Sequence, residues 1–103
     1  MTKVTLRAHR LSFFSQTDET AFFHWLGLLK DFAVGRGDGD TIFIDVHSNK
    51  IDDEQLRELI ALFHRYRIDM RQLLVFENRS NKGWLRAKEA YWYEAVYESA
   101  HAA

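Results

Sequence analysis

The chain of 103 residues contains no cysteine and no proline. Without cysteine there is no disulfide framework, no thiolate metal site and no cysteine nucleophile. Without proline there is neither a polyproline ligand nor a proline-rich linker. No stretch approaches the roughly 18 consecutive apolar residues of a membrane-spanning helix. An excess of one charge is missing too, since 14 Lys and Arg stand against 15 Asp and Glu, a formal net of −1. That balance argues against a whole domain built to bind polyanions. The opening Met1-Thr2-Lys3-Val4-Thr5-Leu6-Arg7 alternates where a signal peptide would be continuously apolar, so the expected location is cytoplasmic. What remains fits one globular domain over residues 1–103.

Hydrophobic spacing sketches the elements. Lys3 to His9 alternates as a strand, with Val4, Leu6 and Ala8 on one face. Ser12 to Thr17 is a connector whose Phe13 and Phe14 are expected to tuck under the sheet edge. Thr17 is the expected N-cap of a first helix ending near Lys30, with Asp18 and Glu19 in its first turn and Phe22, Trp25, Leu26 and Leu29 facing the core. Phe32–Arg36 and Asp40–His47 read as a hairpin turning at Gly37-Asp38-Gly39. Ile42, Ile44 and Val46 share one face of its second strand, with Phe43, Asp45 and His47 on the other.

Ile51-Asp52-Asp53-Glu54-Gln55-Leu56 carries an Asp N-cap, a Gln at N3 and an Ile51–Leu56 staple. The stripe Leu56, Leu59, Ile60, Phe63 follows. The same start recurs at Ile68-Asp69-Met70-Arg71-Gln72-Leu73, favouring a short helix from about Met70 to Glu77, with a strand through Leu73–Phe76 as the rival. Asn78–Gly83 reads as turn, Trp84 and Leu85 return to the core, and a last helix is expected from about Ala87 to Glu98. In it Trp92 and Val96 are the core positions. The sum is an α+β fold, a three-stranded, mainly antiparallel sheet with helices packed on it, in the order β-α-β-β-α-α-α. Strand order 1-3-2 is favoured over 1-2-3.

Catalytic patterns are weak. The five histidines form no metal-spaced pair. Asp45-x-His47 puts a carboxylate and an imidazole on one strand face, an arrangement open to acid–base work but more common as a solvated surface. Gly35-Arg36-Gly37-Asp38-Gly39-Asp40 lacks the Lys-Ser/Thr of a phosphate loop and reads as a hairpin turn. The serines lack a nucleophile-elbow setting. The expectation is a protein that is not an enzyme.

Charge is segregated along the chain. Between Asp18 and Glu58 ten acids face four bases, net −6, and between Leu59 and Lys88 two acids face seven bases, net +5. An acidic patch steers a basic partner, although helix capping alone explains Asp18 and Asp52. The closing segment adds Tyr91, Trp92, Tyr93 and Tyr97. Three consecutive aromatics span about 200° of a helix, too wide for one core face. That leaves Tyr93 and Tyr97 to cover the sheet edge or to serve a binding surface.

The stretch from Leu56 to Leu73, the ending Trp84-Leu85 with Ala90-Tyr91-Trp92-Tyr93-Glu94-Ala95-Val96-Tyr97, and the opening Phe14-Ser15-Gln16-Thr17-Asp18-Glu19 carry a family likeness. Together they resemble small bacterial immunity proteins of contact-dependent growth inhibition and related polymorphic-toxin systems. The resemblance implies a cytoplasmic antidote, without cofactor or metal, that binds the C-terminal domain of a cognate toxin, often a basic nuclease, and blocks its active site. Neither a membrane nor a nucleic acid is then the partner. The contact residues expected on this reading are Asp38, Asp40, Asp45, Asp53 and Glu54, with Tyr93 and Tyr97 as anchors. The alternative is an RNA-binding or regulatory module on the basic 65–88 segment, using Arg65, Arg67, Arg71, Arg79, Lys82 and Arg86 with Tyr66 and Trp84 for stacking.

Overall fold

Alternation in the first strand and in the second arm of the hairpin places two apolar rows opposite one another. In a computed structural model that describes residues 3–29 and 32–98, without the side chains of 33–38, these rows form the inner face of the sheet. β1 (Val4–His9) pairs antiparallel with β3 (Thr41–Val46), setting Leu6 against Ile44 and Ala8 against Ile42. β2 (Phe32–Asp38) pairs antiparallel with the other side of β3, giving the order β1-β3-β2. Between β1 and β2 runs α1 (Gln16–Gly27), and after β3 comes α2 (Asp53–Tyr66). A 3₁₀ helix (Met70–Phe76), the single-turn α3 (Lys82–Leu85) and a π-helical turn (Glu94–Glu98) follow.

The expected architecture is corrected on two counts. The sheet is one open sheet made by two antiparallel pairings, so it is antiparallel throughout and not mainly so. The helical half is not the α-α-α of the expected order. Its 3₁₀ helix follows from spacing: Met70, Leu73 and Phe76 are all buried and recur every three residues, the repeat of a 3₁₀ turn. Leu74 and Val75 fall off that row and stand 42% exposed, which a strand burying all four apolar residues would not leave. The segment read as turn holds α3, and the last helix is reduced to turns before its π-helical end. The aromatic run is not held on one buried face, since Trp92 is buried while Tyr91 stands 53% exposed.

Smaller corrections concern the ends of elements. Ser15, not Thr17, caps α1, its hydroxyl accepting the Asp18 N–H at 3.1 Å, and the helix stops at Gly27. The hairpin turns at Gly39-Asp40, because Asp38 still pairs with Thr41. Gly39 has φ +64°, the left-handed conformation favoured for glycine at the first corner of a two-residue hairpin. One extra residue bulges β2 between Val34 and Gly37.

Of the capping signals, Asp52 accepts the Gln55 N–H at 2.8 Å and opens α2 as read. Asp69 accepts the Arg71 N–H at 3.1 Å and opens the 3₁₀ helix. Leu56, Leu59, Ile60 and Phe63 are fully buried in a single core with Leu6, Ile44, Phe22, Leu26, Leu85, Trp92 and Val96. α2 ends at Arg67 in the left-handed region, with the Ile68 N–H returning to the Phe63 carbonyl at 2.9 Å.

Candidate functional site

The acidic residues singled out from the sequence fall at separate places on this frame. Asp40 sits in the hairpin turn beside the end of β1. Its carboxylate accepts from Arg10 Nε at 3.1 Å and lies 3.5 Å from His9 Nδ1. The Arg10 hydrogen bond, with smaller help from His9, holds the Asp40 carboxyl below its ordinary range. Asp38 ends β2 next to it, and its side chain lies outside the described ones. Asp45 is on the outer face of β3, where it accepts from Thr5 Oγ1 at 3.0 Å and lies 3.9 Å from Lys3 Nζ. His47 lies two residues further on and is exposed, so the Asp45 carboxylate already has partners other than the imidazole.

Asp53 and Glu54 are exposed in the first turn of α2, a favourable place for negative charge at a helix N-terminus. They line a groove with Lys50, Val75, Glu77 and Arg79. Asp40 is held by Arg10 and His9 before the start of β3, whereas Asp53 and Glu54 line a groove that none of these three residues enters, so the acidic segment of the sequence is two surfaces.

The tyrosines join the second of these. Tyr93 and Tyr97 pack with ring centroids 5.2 Å apart. The Tyr97 hydroxyl donates to Glu77 Oε1 at 2.7 Å. Arg86 grips the same carboxylate with Nε at 2.8 Å and a terminal nitrogen at 3.0 Å, while its guanidinium lies 5.2 Å from the centre of the Tyr97 ring. Arg86 first, and then Tyr97, hold the Glu77 carboxyl below its usual range. Burial and the Glu77 carboxylate push the Tyr97 phenol well up. Glu77 thus links the tyrosine pair to the groove of Asp53 and Glu54. A lone Glu inside a basic segment carries no pattern, so the sequence does not point to it.

Two of the six basic residues, Arg71 and Arg86, are engaged within the fold. Arg71 chelates Asp69 through Nε at 3.1 Å and a terminal nitrogen at 3.0 Å, and Arg86 holds Glu77. Trp84 packs edge-on against Trp92 at 5.9 Å and carries the Arg57 guanidinium at 3.9 Å over its ring. Tyr66 is locked among Phe13 and Phe22, its hydroxyl donating to Asp18 Oδ1 at 3.1 Å. Neither aromatic is placed to stack on an RNA base, and the stripe is broken up.

Phe14 reverses its expectation. Phe13 packs on Phe22 at 5.6 Å, but Phe14 is 93% exposed. Phe13 itself packs on the helices, against Phe22, Phe23 and Tyr66, and not under the sheet edge, and with that place filled Phe14 is left in solvent. Among the described residues no three His, Asp or Glu side chains come together as a metal site, and no helix is long and apolar enough to cross a membrane. No protein family, curated protein or solved structure matches the chain.

Proposed function

We propose that this chain is a non-catalytic immunity protein that neutralises a cognate bacterial toxin domain, a basic nuclease, by stoichiometric binding over its active site. The observation that carries this reading is the groove at the start of α2. Two exposed carboxylates, Asp53 and Glu54, stand there beside the half-exposed Val75, and Glu77 ties in the Tyr93–Tyr97 pair. Exposed carboxylates beside an apolar side chain suit a cationic protein surface. Asp40 does not line that groove and is already paired with Arg10.

Coexpression with the C-terminal domain encoded by the gene immediately upstream is the test. Growth rescue and a one-to-one complex are expected. In that complex Asp53→Asn with Glu54→Gln should slow association about tenfold and flatten its dependence on salt, as loss of steering charges does. Neutral replacements are used because reversed charges would also oppose the helix dipole. An upstream domain that is toxic yet neither bound nor countered would refute the pairing, and unchanged kinetics in the double variant would refute this placement of the surface.

A further inference from the structure

A second cleft lies at the hairpin end of the molecule, lined by Arg10, Ser12, Phe14, Asp18, Arg65, Tyr66 and Arg67. We propose that it binds a nucleoside phosphate, with the base stacked on Phe14 and the phosphate held by Arg10, Arg65 and Arg67. The inference is independent of the antidote reading.

Three observations carry it. The first is Phe14 itself, 93% exposed on a connector that is held firmly. Its own N–H donates to Asp18 Oδ2 at 3.0 Å, Ser15 caps the helix one residue later, and Phe13 anchors the segment against Phe22 and Tyr66. A flat ring standing in water on a fixed backbone is a ready stacking platform, and stacking on an aromatic side chain is available to every base. Preorganisation of this kind lowers the entropy lost on binding.

The second is the backbone of two of the arginines. Among the described residues only Arg10 (φ +55°) and Arg67 (φ +58°) are non-glycine residues in the left-handed region, and both line this cleft. Arg67 takes this conformation as the C-cap of α2 and Arg10 takes it just after β1, so at both rims of the cleft the chain keeps an arginine where glycine would cost less.

The third is the charge balance. Neither Arg65 nor Arg67 has an acidic ion-pair partner among the described residues, and Asp40 engages only the Nε of Arg10. The one carboxylate in the cleft, Asp18, has both oxygens committed, Oδ1 to Tyr66 and Oδ2 to Phe14 N–H. Guanidinium groups in this setting match the oxygens of a phosphate. A carboxylate-bearing peptide would meet the same charges, but the cleft offers it a protruding ring and not an apolar pocket.

The test is calorimetric titration of the full chain at low salt with AMP, a short oligouridine, inorganic phosphate and an acidic peptide containing phenylalanine. Saturable binding of AMP or of the oligouridine is expected, weakened at least tenfold by Phe14→Ala and by Arg67→Gly. Both variants should stay folded, since Phe14 is exposed and glycine suits the backbone of Arg67. Tighter binding of AMP would identify a free nucleotide as the ligand, and tighter binding of the oligouridine a residue of a single strand. Three results would overturn the proposal: no saturable binding of either, phosphate binding as tightly as AMP with no effect of Phe14→Ala, or preference for the acidic peptide.

Discussion

Asn81 and Gln55 are the two polar side chains buried among the described residues, and they behave oppositely. Asn81 is bonded through both ends of its amide. Nδ2 donates to the Phe76 carbonyl at 2.8 Å, and Oδ1 accepts the Asn78 N–H at 2.8 Å. It thereby closes the 3₁₀ helix onto the turn that leads into α3. Gln55 Oε1, by contrast, is buried without a hydrogen-bond partner, so the reciprocal half of the capping box is not made. Replacing Asn81 by Ala strands a buried carbonyl and an amide N–H, and an unsatisfied buried group costs about 1–3 kcal/mol. Urea unfolding of Asn81→Ala should show that loss as a lower midpoint with an unchanged slope. A midpoint equal to that of the parent protein would mean that the turn holds without the amide.

At the scale of the element, one edge of the sheet is covered by a side chain from a distant helix. The free side of β1 is met by the side chain of Gln72, whose Oε1 accepts the Arg7 N–H at 2.7 Å and whose Nε2 donates to the Arg7 carbonyl at 2.9 Å. One carboxamide thus imitates a neighbouring strand, and a second bond from Nε2 to the Asp69 carbonyl at 2.9 Å fixes it to the 3₁₀ helix. Unpaired strand edges invite pairing with other chains. Gln72→Ala should therefore destabilise the fold by about 1–2 kcal/mol and raise the tendency to self-associate on size-exclusion chromatography at high concentration. A variant that stays monodisperse at parental stability would show that the edge is protected otherwise. The spacing of Asp69 and Gln72 in a capping-box pattern was visible beforehand, but a glutamine at N3 reads as a local cap. Its actual partner lies 65 residues away in the chain.

For the whole molecule, acid stability follows from carboxylates whose pKa is depressed in the folded state. Glu77, held down chiefly by Arg86 and then by Tyr97, carries a share of stability that is fully present above its ordinary pKa of 4.5 and is lost as pH falls through the folded value. Asp69, held down mainly by its hydrogen bond to Arg71, adds in the same direction below 3.8. The urea midpoint should accordingly fall on acidification below about pH 4.5, and fall less steeply in Glu77→Gln. Parallel pH profiles for the two proteins would remove Glu77 from that account. The same residue joins the basic half of the chain to the groove of Asp53 and Glu54, so charge segregated in sequence becomes interlocked in space.

Local features were legible in the sequence because they depend on neighbours a few residues apart. The caps at Asp52 and Asp69, the buried stripe of α2, the alternation of β1 and β3, and the core positions Trp92 and Val96 all belong to that kind. Other features depend on which distant groups meet, and spacing along the chain cannot reveal that. The acidic segment parts into two surfaces because Asp40 is held by Arg10 and His9, outside the groove of Asp53 and Glu54, while Arg71 and Arg86 leave the basic stripe by pairing with the only two acids inside it. Phe14 turns outward because Phe13 takes the place against Phe22 and Tyr66. Chain-local sterics and hydrophobic periodicity determined the elements, whereas the tertiary structure decided which charges and aromatic rings remain available, since long-range packing settles both burial and pairing.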